Sequence, residues 1–204
     1  MREVSDRYQG GRPLRVDARA NRDRILDVAG EVFGKGGESA STEQVARLAG
    51  VGIGTVFRHF PTKAALLEAV LAREFDRMRE QAEALVGAAD PGEAFRGFFG
   101  QLTARAPAKI AITEALLDAG GARDSDADAA RASDGLRRAV GALLQHAQEA
   151  GAVRVDVELP EVYALLAGIS RAVARAHLDE EAMERVLAVV FDGLAPRPRR
   201  ADGA

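Results

Sequence analysis

Apolar residues recur at helical spacing along almost the whole chain. Ile25, Val28, Ala29, Val32 and Phe33 fall at i, i+3, i+4, i+7 and i+8 between charged positions, which predicts an amphipathic first helix that stops in the glycine-rich stretch 34–37. A short second helix is expected over about 42–49, with Ser41 as N-cap, Gln44 in the capping-box position and Gly50 placed for a left-handed C-terminal cap. A third short helix spans about 53–60, and Pro61 prevents its continuation. Thr62 then caps a long fourth helix that turns Leu66, Leu67, Val70, Leu71, Phe75 and Met78 inward.

Residues 87–92 break the pattern and mark a domain boundary. Beyond them we expect one helix holding Phe95, Phe98, Phe99 and Leu102, and a separate one after Pro107 with Ile110, Ile112, Leu116 and Leu117. A polar loop over 120–128 leads into a helix with Leu136, Val140, Leu143 and Leu144 that stops at Gly151. Pro160 sits near the start of the next, which carries Val162, Leu165, Leu166, Ile169 and Val173, and a last helix covers about 179–194. Val153, Val155 and Val157 alternate with polar residues as a strand would, but nothing else in the chain offers a ladder partner. We read that segment as an extended connection whose valines pack downward. The fold class is all-α.

Composition narrows the field. The chain has 204 residues, 47% hydrophobic and 29% charged, as in a folded soluble protein with a sizeable core. It contains no cysteine, which removes disulfides, zinc–thiolate sites and a thiol nucleophile, and suits a reducing cytoplasm. No apolar run approaches the ~18 residues of a membrane span, so no membrane partner is expected. His59, His146 and His177 are dispersed, and neither a serine nucleophile elbow nor a phosphate-cradling glycine loop is present. We therefore expect no enzyme, no catalytic residue, no metal and no cofactor. The net charge of −3 hides an asymmetry: through Lys63 the chain has 11 Lys and Arg against 8 Asp and Glu, and beyond it 17 against 23. A basic front on an acidic body suggests that a polyanion is met at the front.

Residues 41–63 have the layout of a helix-turn-helix: two turns of helix, the tight turn Gly50-Val51-Gly52, and a second short helix. Ala46 is small where the helices cross. Val45, Leu48, Val51 and Val56 are expected to fill the angle between them, leaving Thr55, Arg58 and His59 outward. Such a unit presents its second helix to a major groove while helix N-termini at Thr42 and Thr62 aim amides at phosphates. An N-terminal arm over 1–17, with Arg12, Arg15 and Arg19, is expected to precede the first helix and to be flexible, either a solvated tail or a basic arm that lays an arginine into an adjacent minor groove. The tail 195–204 is expected to be disordered.

The run Gly50-Val51-Gly52-Ile53-Gly54-Thr55-Val56-Phe57-Arg58-His59-Phe60-Pro61-Thr62-Lys63, preceded by Arg24-Ile25-Leu26 and Phe33-x-x-x-Gly37, resembles the DNA-binding domain of tetracycline-repressor-type (TetR family) transcriptional regulators over about 18–70. The resemblance implies a three-helix DNA-binding head over 18–63, joined by a long helix to a ligand-binding and dimerising bundle over 64–194. It implies that Thr42, His59 and Lys63 contact phosphate, and that Gly52 and Thr55 contact backbone or bases at the start of the recognition helix. Arg58 stands where the family varies, and its fork suits guanine O6 and N7. Two positions depart from the family: Gly52 replaces its usual serine and Phe57 its usual tyrosine, and each removes a hydroxyl from the phosphate contacts. These departures keep open an alternative, a helical adaptor whose helix-turn-helix meets another protein.

The last two helices are too apolar for a monomer's surface, with Leu165, Leu166, Ile169 and Val173 on one and Met183, Val186, Leu187, Val190, Phe191 and Leu194 on the other. Ala164, Ala167 and Gly168 permit close approach, so a two-fold intersubunit four-helix bundle is expected. A homodimer presents two recognition helices to a pseudo-palindromic operator. Phe95, Phe98, Phe99, Leu102, Leu117, Leu144 and Tyr163 are candidates to line a cavity for a small apolar effector, with Thr113, Arg171 and His177 as polar handles. An effector wedged beside the fourth helix, near 75–85, would tilt it and change the spacing of the paired heads.

Overall fold

The computed structural model describes residues 13–35, 40–121, 127–176 and 179–197. Eight helices run in order: α1 (Pro13–Lys35), α2 (Thr42–Leu48), α3 (Ile53–His59), α4 (Lys63–Leu85), α5 (Pro91–Asp118), α6 (Ala127–Glu149), α7 (Leu159–Ala176) and α8 (Glu180–Leu194). No strand occurs among the described residues. Local chemistry sets most boundaries. Ser41 accepts the amide of Gln44 at 3.2 Å, Thr62 that of Ala65 at 3.0 Å and Asp90 that of Glu93 at 2.8 Å, each taking one of the donors that a helix start leaves free.

Two buried clusters organise these helices. The first gathers Ile25, Ala29 and Phe33 of α1, Val45 of α2, Val56 of α3 and Leu66, Leu67 and Val70 of α4, closed by Ile112 and Leu116 from the far end of α5. The second is built from Phe95, Phe98 and Phe99 of α5, Val140, Leu143 and Leu144 of α6, Val162 and Leu166 of α7, and Met78 and Ala82 of α4. Phe75 packs against both. The expected division of the chain at Lys63 therefore does not divide the packing, because α4 and α5 each serve both cores.

Four local expectations are corrected. α5 is continuous through Pro107 rather than two helices. A proline inside a helix removes a hydrogen bond and crowds the preceding turn, but Thr103 and Ala106 are buried before it and Ile112 and Leu116 after it, so packing holds both halves in line. α1 begins at Pro13, so Arg15 and Arg19 are helical, while Arg12 lies outside the described residues. Leu48 is 58% exposed and does not fill the angle between α2 and α3; Val45 and Val56, both at 0%, do that with Val51. In the 151–158 connection Val153 is buried but Val155 points out at 82% exposure, because the chain turns at residues 155 and 156 instead of continuing an extended segment, in which both valines would share a face. Gln148 ties this connection down by donating to the carbonyls of Arg154 (3.0 Å) and Val157 (2.7 Å).

The turn between α2 and α3 requires a glycine. Gly50 has φ +67°, a left-handed conformation, and the amide of Val51 returns to the carbonyl of Ala46 at 3.0 Å. A Cβ at this position would meet nothing within 4 Å, so the cost of a side chain is one of backbone strain alone. Gly50→Ala should lower stability by about 1–2 kcal/mol, read as an earlier urea midpoint at unchanged slope.

Candidate nucleic-acid interface

The second helix of the helix-turn-helix is anchored lightly. Val56 is the one buried residue of α3. The rest face outward to different degrees: Ile53 is 38% and Phe57 43% exposed, Gly54 and Arg58 are exposed, and Thr55 and His59 are half-buried. Gly52 caps the helix without a side-chain hydrogen bond. A short helix with one fully buried side chain leaves most of its other side chains at least partly open to solvent.

The neighbouring sequence-predicted positions fare unequally. Thr42 is buried, at 7% exposure, so its side chain is covered by the protein itself. Glu43 lies beside it, with its carboxyl held below the usual glutamate range by its own backbone amide, then the Ser41 hydroxyl, with Lys63 adding attraction. The α2 start is thus partly served by the chain's own acid. Lys63 opens α4 half-buried, its Nζ 5.2 Å from the centroid of the Phe33 ring. On the other side Arg22 of α1 sits 5.2 Å over the ring of Phe60. Arg22 did not stand out in the sequence, because only tertiary folding brings it beside the end of α3.

The head is clamped to the helix that carries it. Arg73 donates to Asp23 at 2.6 Å and to Asp27 at 3.1 Å, Arg77 reaches Asp27 and Glu74, and Arg105 of α5 reaches Glu74 at 3.4 Å. The i, i+4 spacing of Asp23 with Asp27 and of Arg73 with Arg77 is visible in the sequence, but the pairing across α1 and α4 is not. Beside this cluster an open cleft of about 1030 Å³ separates α1 and α4 from α6, lined by Arg22, Arg73, Arg79, Arg131 and Arg138 together with Asp76, Glu80 and Asp128. It is polar and lies apart from the expected apolar lining.

Of that expected lining, Phe95, Phe98, Phe99 and Leu144 are buried in the second core, with Leu102 and Tyr163 half-buried against it. Burial raises the Tyr163 phenol above its ordinary range, with Arg137 opposing from 4.8 Å above the ring. Thr113 and Leu117 do not join them. They lie 14 and 18 residues beyond Phe99 on one continuous helix, roughly 21 and 27 Å away along its axis. The Thr113 hydroxyl donates to the Lys109 carbonyl and Leu117 is 44% exposed. Arg171 is exposed, and His177 lies outside the described residues. His146 is structural: its Nδ1 meets the Val86 carbonyl at 2.7 Å at the end of α4.

The faces expected to dimerise are partly consumed within the chain. Leu166, Ile169 and Leu194 are buried in its own core, and Phe191 packs edge-on to Phe99 at 5.5 Å. Leu165, Val173, Met183, Val186, Leu187 and Val190 are half-buried at its rim. Ala164, Ala167 and Gly168 on α7 are exposed, and so is Val189 of α8, at 72%, a position the sequence pattern did not single out.

A helix-turn-helix head with a projecting second helix, carried on two long helices that continue into a helical body, is the architecture of a bacterial helix-turn-helix regulator. Residues 25–70 match the model of bacterial regulatory proteins of the tetR family, and residues 90–196 match the SbtR-like transcriptional regulator C-terminal domain. A TetR transcription regulatory protein from Mycobacterium vanbaalenii is 38% identical, with a TM-score of 0.73 covering 90% of this chain and 100% of that one. A TetR transcriptional regulator from Streptomyces coelicolor is 34% identical, with a TM-score of 0.72 covering 87% and 99%. The HTH-type transcriptional repressor KstR of Mycobacterium tuberculosis is 32% identical over 135 residues, 65% of this chain and 60% of that protein. KstR of Rhodococcus jostii is 36% identical over 99 residues, 48% and 46% respectively. The chain thus spans about half of the length of the curated relatives it matches. It belongs to the TetR family of transcriptional regulators. No helix of the described residues is long and apolar enough to cross a membrane.

The α1–α4 clamp makes a checkable contribution. Asp27→Ala removes the shared partner of Arg73 and Arg77, which are themselves partly solvent-exposed. It should lower stability by about 0.5–1 kcal/mol at low salt and by less in concentrated salt, as read from urea unfolding at two ionic strengths.

Proposed function

We infer that this chain is a ligand-responsive, sequence-specific DNA-binding regulator that acts in the cytoplasm as a homodimer on a pseudo-palindromic operator and represses transcription. The observation that carries the reading is the outward face of α3, anchored by Val56 alone and bearing Arg58, in a chain of this family. Two copies related by a two-fold axis hold their α3 helices about 34 Å apart, one turn of duplex, so that both enter successive major grooves on one side. Arg58 reads a guanine through O6 and N7, while Lys63, His59 and the amides at Gly52 and Thr55 set register on the backbone. Thr42, at the start of α2 and little exposed, contributes a phosphate contact through its backbone amide. Repression has the support of the KstR relatives, which are repressors by name.

The dimer forms through α7 and α8. Exposed Ala164, Ala167 and Gly168 allow close approach, and Val189 with the half-buried Leu165, Val186 and Val190 supplies apolar area. An apolar effector enters at the rim of the Phe95–Phe99 cluster, beside Leu102 and Tyr163, and displaces Met78 and Ala82 of α4. That displacement tilts α4 and changes the spacing of the two heads. The affinities for effector and operator are then coupled reciprocally, by about 1–3 kcal/mol.

Binding to fragments selected from genomic DNA tests this directly. Affinity should fall steeply with salt, with a log–log slope of about −0.9 per phosphate neutralised. Arg58→Ala should relax preference at one base position per half-site, by about 1–3 kcal/mol. Lys63→Ala should weaken all sequences alike and reduce the salt slope by about one. A protein-docking head would show neither the slope nor the preference. Val189→Asp should shift the sedimenting species from dimer to monomer while leaving helix content unchanged, because this side chain is exposed within one chain.

A further inference from the structure

The part of α3 that leaves the protein is mostly apolar. Ile53 and Phe57 are 38% and 43% exposed and stand four residues apart, one above the other on a single helix face. Leu48, at the end of α2, adds a third uncovered side chain at 58%. Arg58 is the one fully exposed hydrogen-bonding side chain of α3, since Thr55 and His59 are half-covered.

Gly52 has a role in the fold as the N-cap of α3, a position that favours glycine, but Gly54 in the first turn has none. Gly52 has φ −68° and Gly54 is helical, so neither needs the left-handed region. A Cβ on either would meet nothing within 4 Å. Glycine weakens a helix relative to alanine, so Gly54, inside α3, calls for a reason outside the chain. Close approach of another surface to the backbone is such a reason.

We propose that Ile53 and Phe57 read thymine C5-methyl groups in the major groove, with Gly52 and Gly54 letting the α3 backbone come close enough for the contact. Each half-site then carries thymines beside the guanine taken by Arg58. The inference rests on the DNA-binding reading above. The thymine methyl is the apolar feature of the major-groove code. Cytosine presents a donor and no methyl on the pyrimidine edge, so an isoleucine or phenylalanine there loses contact and strands a polar group.

The test uses the full chain and the site it selects from a random duplex pool, remade with deoxyuridine in place of thymine one position at a time, which deletes only the methyl. The selected half-site should be rich in thymine, and uracil at one or two positions should weaken binding about fourfold each, the transfer value of one methyl-sized group. Ile53→Ala and Phe57→Ala should each abolish the sensitivity at one of those positions while keeping helix content and the guanine preference. Both side chains are exposed, so the substitutions leave the core of the head intact. Specific, salt-sensitive binding indifferent to every uracil overturns the methyl reading and leaves the DNA-binding reading standing. So does uracil sensitivity that persists in both variants. Absence of preference for any duplex overturns both.

Discussion

One helix belongs to two cores, and the rest of the structure depends on that sharing. The first turns of α4 bury Leu66, Leu67, Val70 and Leu71 among the helices of the head, and its later turns bury Met78 and Ala82 among those of the body. α5 runs back the other way, with Phe95–Phe99 in the body and Ile112 and Leu116 in the head. Phe75 touches both clusters, and Lys109 of α5 lies 4.9 Å over its ring. Close-packed interiors transmit displacement rather than absorb it. α4 is thus the packing link between the two cores, which is what the proposed coupling of effector and operator would use.

Charged contacts tie the head to that shared helix. Arg73 and Arg77 hold α4 to Asp23 and Asp27 of α1, and Arg22 stacks on Phe60 at the end of α3. α3 by contrast has one fully buried residue, Val56. A rigid carrier with a lightly held projecting helix lets the outward face of α3 vary without disturbing the fold. That lets the exposed positions 52 and 57 differ from the pattern the resemblance implies while Val45, Val56 and Phe60 stay buried.

The body divides its apolar surface between inside and outside in a way that the dimer reading uses. Leu166, Ile169 and Leu194 complete the chain's own core, and the amide of Arg154 closes onto the Leu194 carbonyl at 2.9 Å, fixing the end of α8 against the connection before α7. What stays uncovered on these helices is small or singly apolar, as at Ala167, Gly168 and Val189. Small residues bring helix axes close, so a partner face of this kind gains from contact density as much as from buried area.

Local interactions made much of this protein legible in one dimension. The helices, the Ser41 and Thr62 caps and the left-handed Gly50 follow from neighbours within four residues, and the helix-turn-helix follows from those elements in series. The exposed Arg58 was legible for the same reason. Periodicity identifies an apolar stripe but not what covers it: spacing predicts burial for Leu48, which is 58% exposed. Pro107 was read as a break because the cost of proline is local, whereas the burial that offsets it comes from two distant cores. Thr113 and Leu117 were grouped with Phe95–Phe99 by residue type, and only the continuity of α5 separates them. The Arg73–Asp27 clamp needed both helices in place, since charges 46 residues apart in sequence carry no mark of their pairing until tertiary packing fixes the distance between them.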